Sequence, residues 1–129
     1  MEIPWTTHDK PEPGQQAFIM ASRFNLTSAR HTPAFLLGAI RIRRQSLDSP
    51  GMLGVSLRAF PLRKQYWTLS AWTGEQALRQ FMRAEPHGGF MRRAHPWMRD
   101  ATFKFWELPA GELDAKTLWD SAKKHIEAE

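Results

Sequence analysis

One strand of this chain cannot be solvated on either side. Residues 65–72, Gln65 to Trp72, alternate with the period of two that a β-strand imposes. Trp67 and Leu69 fall on one face, Tyr66 and Trp72 on the other. An antiparallel sheet that met water on one face would be polar there. A segment so apolar on both sides demands cover above and below, and that demand organises the rest of the reading.

The remaining elements follow in order. Residues 1–14 are polar, broken by Pro4, Pro11 and Pro13, and read as an extended N-terminal arm. Gln15 to Phe24 alternates like a strand. Thr32 is expected to cap a helix with Pro33 at its first position, running to about Leu47. Its apolar residues Phe35, Leu36, Ala39, Ile40 and Leu47 recur at helical spacing, with Arg41 and Arg44 mostly on the other side. Asp48-Ser49-Pro50-Gly51 is turn chemistry. Met52 to Phe60 reads as a strand with Leu53, Val55, Leu57 and Ala59 on one face, joined by residues 61–64 to the doubly apolar strand. Thr73 and Gln76 have the spacing of a capping box before a helix whose buried stripe is Leu78, Phe81 and Met82. Pro86 and Gly88-Gly89 interrupt that helix, and a second piece carries Phe90, Met91, Ala94 and Trp97. Residues 101–108 form a last strand, and Leu113 to Ala128 a closing amphipathic helix with Leu118, Trp119, Ala122 and Ile126 inward.

Strand, helix, strand, strand, helix, strand is the split β-α-β order of a ferredoxin-like α+β domain: a four-stranded antiparallel sheet with two helices on one face. The expected division is an arm over 1–14, the domain over 15–108 and a helical extension over 109–129. Two helices cover one face only. The other needs a lid, and a second copy of the sheet is preferred here to the closing helix. The expectation is a homodimer closed as a barrel.

Composition narrows the function. With 129 residues, 42% of them apolar, the chain can bury a core as one domain. The absence of cysteine removes thiol catalysis, Cys-based zinc sites and iron–sulfur clusters. No apolar run is long enough to span a bilayer and the N-terminus has no signal-like pattern, so a cytoplasmic location is expected. Lys plus Arg exceed Asp plus Glu by 18 to 13, a net charge of +5. The basic residues lack the dense, aromatic-interleaved clusters of a nucleic-acid module, so no specific nucleic acid is expected. They read as solvated helix faces, or as arginines at the rim of a pocket holding an anion. There is no phosphate loop, nucleophile elbow or His-Glu-x-x-His.

The segment Tyr66-Trp67-Thr68-Leu69-Ser70-Ala71-Trp72-Thr73-Gly74-Glu75-Gln76-Ala77-Leu78 resembles a signature of the antibiotic-biosynthesis-monooxygenase superfamily: a strand ending in Trp, a polar cap, then a helix opening with an acidic residue. Pro86-His87-Gly88-Gly89-Phe90-Met91-Arg92-Arg93, then Trp97 and Phe105-Trp106, resembles spheroidene monooxygenase and its small relatives, and Met20-Ala21-Ser22-Arg23-Phe24 fits the same group. The likeness covers residues 15–108. It implies a dimeric α+β barrel with a pocket between sheet and helices, monooxygenase-like chemistry on an apolar small molecule (carotenoid-like or aromatic), and haem as a cofactor.

On that reading His87 is the candidate iron ligand, with Gly88-Gly89 allowing a flat group to approach the backbone. His95 is its rival, since Arg92-Arg93-Ala94-His95 is similar to a segment of haem-degrading members. Those members carry a Trp where Phe81 stands here, a departure from the pattern. Residues 87 and 95 are eight apart, ~12 Å along a helix, too far to share one ion. Phe81 and Met91 are expected to line the substrate pocket, with Arg79 and Arg83 at its rim. His8, His31 and His125 are assigned to the surface, and Trp72 and Trp106 to anchoring. A non-enzymatic dimeric ligand-binding module is the alternative.

Overall fold

A computed structural model describes residues 1–128. It contains strands β1 (Glu2–Thr7), β2 (Gln16–Leu26), β3 (Met52–Phe60), β4 (Gln65–Trp72) and β5 (Met98–Pro109). The helices are α1 (Thr32–Leu47), α2 (Glu75–Arg83), α3 (His87–Ala94) and α4 (Ala115–Glu127). The strands form one antiparallel sheet in the order β1-β3-β4-β2-β5. Strands β2 to β5 have the expected split β-α-β connectivity.

The sheet has five strands, not four. Residues 2–7, expected as part of an extended arm, pair with β3 in the register Ile3 to Leu57 and Thr6 to Val55. The register shifts between Ile3 and Thr6, an irregularity that Pro4, which lacks an N–H, is suited to. Being outermost, β1 tolerates a missing ladder donor. Trp5 lies so close to Gly54 that a Cβ there would collide with the indole. In β3 the register also shifts between Met52 and Gly54. That bulge turns Leu53 to the face opposite Val55, which a plain period of two had placed together.

Each face of the sheet carries a buried apolar cluster. Ala17, Ile19 and Ala21 of β2 join Trp67, Leu69 and Ala71 of β4 on one face. There Leu118, Trp119, Ala122 and Ile126 of α4 cover them, spaced three and four apart as one helical stripe. The chain thus supplies its own lid, where a second copy had been preferred. Asp114 starts α4 by accepting the Thr117 backbone N–H at 3.0 Å. Trp119 Nε1 donates to Ser56 Oγ at 3.2 Å, so the indole brings no unpaired donor into the core.

The other face carries Phe24 and Tyr66 against Phe35 and Phe90, and Met20, Val55 and Trp72 against Leu78 and Phe81. Gly38 of α1 lets the Phe90 ring approach its backbone, which any Cβ would obstruct. The helix starts differ from expectation in detail. His31, not Thr32, precedes α1, and Thr32 Oγ1 instead accepts the Tyr66 hydroxyl at 2.7 Å. Gly74, not Thr73, precedes α2. The final strand begins three residues early, at Met98, because α3 ends at Ala94. No helix among the described residues is long and apolar enough to cross a membrane.

Candidate functional site

Between the sheet and helices α1, α2 and α3 lies a cavity of about 60 Å³. Its floor is made by the residues of β2, β3 and β4 that face the helices, including Met20, Ser22, Leu57, Thr68 and Ser70. Its walls are aromatic: Trp72, Phe81, Phe90 and Phe103. Two of the floor hydroxyls satisfy each other, Ser22 Oγ with Thr68 Oγ1, and Ser70 Oγ accepts the Trp72 indole N–H at 2.9 Å. His87 and Arg43 are the ionisable side chains that line it.

The break after α2 positions His87. Gln45 of α1 donates from Nε2 to the Phe81 carbonyl at 3.0 Å, and its Oε1 accepts the His87 backbone N–H at 2.8 Å. One amide therefore pins the end of α2 and the start of α3 to α1. Glu85 accepts the Gly89 N–H at 3.0 Å, closing the first turn of α3. The His87 ring packs 5.0 Å from Phe81 and is 8% exposed. Its Nδ1 is 3.0 Å from the Met82 carbonyl. A carbonyl only accepts, so Nδ1 carries the proton in the neutral ring and Nε2 keeps a free lone pair. Burial pushes the imidazole pKa below its usual value, outweighing the Met82 carbonyl and the Glu85 charge, which pull it up. His87 is thus a neutral imidazole at pH 7 with an unpartnered Nε2 among the described residues.

Arg43 reaches the cavity from α1, on the same face as Ala39, Ile42 and Ser46. Its Nη2 donates to Thr6 Oγ1 of β1 at 2.9 Å. Its Nε is buried and has no hydrogen-bond partner. The run of arginines alone does not single out Arg43 from its neighbours Arg41 and Arg44. The helical period carried the signal: Arg43 sits four residues beyond Ala39 and three before Ser46. Gln45 left no such trace.

The expected site residues divide between two places. His87, Phe81 and Met91 all line the cavity. Arg79 and Arg83 do not. They border a separate, wider groove of about 580 Å³ with Phe18, Leu78, Met82 and Phe105, and Glu75 forms an ion pair with Arg79. His95 is exposed on the turn after α3 and lines neither space. Trp72 is fully buried. His31 stacks on Trp97 at 5.5 Å and His125 on Trp106 at 4.0 Å, so these two are partly covered partners of tryptophans. His8 sits beside Asp9 at 2.9 Å.

No protein-family model matches the chain, and no curated protein matches it significantly. Solved structures do. The chain is similar to SnoaB, a cofactor-independent oxygenase from Streptomyces nogalater, at 15% identity and a TM-score of 0.59, over 70% of this chain and 91% of that one. It is similar to a candidate antibiotic biosynthesis monooxygenase from Nitrosomonas europaea at 13% identity and a TM-score of 0.61, over 69% and 95%. It is also similar to a candidate monooxygenase from Fusobacterium nucleatum at 8% identity and a TM-score of 0.67, over 81% of this chain but 51% of that one.

The haem expectation is corrected by these findings. An apolar cavity of ~150 Å³ is what a single benzene ring occupies; this one, at about 60 Å³, has no room for a tetrapyrrole. His95 is outside it, and no group of three or more metal-ligating side chains stands among the described residues around His87 or elsewhere. The structural relative SnoaB is itself described as cofactor-independent. At such identities the likeness is one of architecture: the chain has the ferredoxin-like α+β fold of antibiotic-biosynthesis-monooxygenase-type structures.

Proposed function

We propose that the chain is a cofactor-independent oxygenase acting on a small, electron-rich aromatic molecule held between the sheet and α1–α3. The observation that carries this reading is His87: a buried neutral imidazole on the wall of an aromatic cavity, with Nδ1 committed to Met82 and Nε2 available. Such a group takes a proton. Removal of a proton from an acidic ring CH₂ leaves an electron-rich anion that dioxygen oxidises. Converting that CH₂ to C=O consumes one O₂ and releases one H₂O, so no further reductant is needed. Phe81 and Met91 shape the space, and the groove bordered by Arg79 and Arg83 is a second place for polar substituents.

The size of the cavity favours an aromatic over a polyene guest. A single ring needs more than the space present, so binding moves side chains. Met20 and Met91 are unbranched and repack at low cost. An elongated carotenoid far exceeds this cavity.

The test is oxygen consumption by the purified protein with a panel of anthrone- and naphthol-type compounds. His87→Gln should lower turnover about 100-fold or more, within the range for loss of a general base. Equal rates in both proteins overturn the assignment of His87. A ligand that binds without oxygen uptake replaces the enzyme reading with that of a non-catalytic binding module.

A further inference from the structure

We infer that Arg43 holds a negatively charged oxygen of the bound molecule, so that the ligand class is an enolate or phenolate rather than a neutral hydrocarbon. This deepens the reading above and rests on it.

Arg43 is a permanent cation placed against a mainly apolar cavity. Among the described residues no carboxylate pairs with it; its one side-chain hydrogen bond goes to the neutral Thr6 hydroxyl. Its Nε is buried without a partner. Native structures pair nearly all such groups, and an orphaned buried donor is costly, the more so when charged. A group kept at that cost on a cavity wall is explained by a guest that completes it. The guanidinium fork suits an oxyanion.

The two polar walls then have complementary tasks. His87 Nε2 accepts the proton, becoming an imidazolium, and the electron pair left behind moves to the ring oxygen facing Arg43. The Thr6 hydroxyl fixes the guanidinium from outside. That gives the edge strand β1 a role in the site, which the irregular pairing at Ile3–Thr6 makes room for.

The experiment compares 4-nitrophenol with its neutral analogue 4-nitrotoluene. The wild-type protein should bind the nitrophenolate about tenfold or more tighter than nitrotoluene. The yellow phenolate band of the bound probe should appear at lower pH than that of the free probe. Arg43→Met should erase both effects and leave nitrotoluene binding unchanged. Thr6→Val, which keeps the strand and frees the guanidinium, should weaken the preference severalfold; it carries the test if Arg43→Met does not fold. Equal binding of the two probes by the wild type, a preference that survives Arg43→Met, or no binding of either overturns the inference. Oxygen uptake separates the two claims. Turnover unaffected by Arg43→Met removes Arg43 and keeps the oxygenase; a phenolate preference without turnover does the reverse.

Discussion

The Gln45 side-chain amide accepts the backbone N–H of His87 at 2.8 Å while donating to the Phe81 carbonyl at 3.0 Å. A residue on the first helix thereby sets where the imidazole of the third one stands. Gln45→Leu keeps the size and removes both bonds. It should cost about 1–3 kcal/mol in urea unfolding, from the buried groups left unpaired, and should lower turnover more than substrate affinity as His87 loses its anchor.

The His87 ring makes stability depend on pH with a definite sign. Its folded pKa lies below the ordinary 6.5, chiefly because of burial. As pH falls through about 6.5 the unfolded chain takes up the proton first, so stability linked to this ring is full above that value and declines beneath it. The decline stops once the folded ring is itself protonated. Urea midpoints between pH 8 and pH 5 should fall less in His87→Gln than in the wild type. Parallel curves would show that the ring is not the source.

Asp100 is also shifted downward, which for a carboxyl favours the charged form. The Asn25 amide donates to it at 2.7 Å and, with Arg99 and Arg23 nearby, holds its pKa below 3.8. Its contribution is present above pH 3.8 and is lost as pH falls through the lowered folded value. Asn25→Ala should raise the Asp100 pKa towards that of a free aspartate, read by carboxyl NMR titration. An unmoved titration would assign the depression to the arginines.

Gly38 is where α1 meets the Phe90 ring of α3. Gly38→Ala places a methyl inside that ring and should cost about 1–3 kcal/mol despite the better helix propensity of alanine. Adding Phe90→Leu should recover part of the loss, and a double-mutant cycle by chemical unfolding measures the coupling.

Trp119 is the largest side chain that α4 lays on the sheet. Trp119→Ala should destabilise by about 3–5 kcal/mol. A chain ending at Gly111 should bare Ile19, Leu69 and Ala71 and self-associate, seen by sedimentation. A truncated chain that stays monomeric and folded would mean the lid is dispensable.

Much of the frame was legible in the residues. The order of strands and helices from β2 onward, the span of α1 and the stripe of α4 follow from periods of two and 3.6, which are local properties. The features that escaped are long-range. Nothing within residues 2–7 reveals that β3 offers an edge to pair with. The bulge between Met52 and Gly54 lies against Trp5, far off in the chain. That α4 rather than a second sheet covers the doubly apolar strand is a competition between two adequate lids, and pattern alone does not rank them. In the site, His87 stood out through the resemblance, as the histidine that follows the helix break. Arg43 was hidden because an arginine on a helix is ordinary until its surroundings are known. Haem followed from the resemblance, and the volume that excludes it is a property of packing.

Clothing on both broad surfaces has a topological corollary. Backbone pairing with a neighbouring strand is open along the two margins of the β-sheet. One margin is β1, short and interrupted by Pro4; the other is β5, twelve residues long and studded with Arg99, Asp100, Lys104 and Glu107. Alternating charge of that kind discourages indiscriminate strand addition, so this polypeptide should resist fibrillar stacking as long as its terminal helix stays docked.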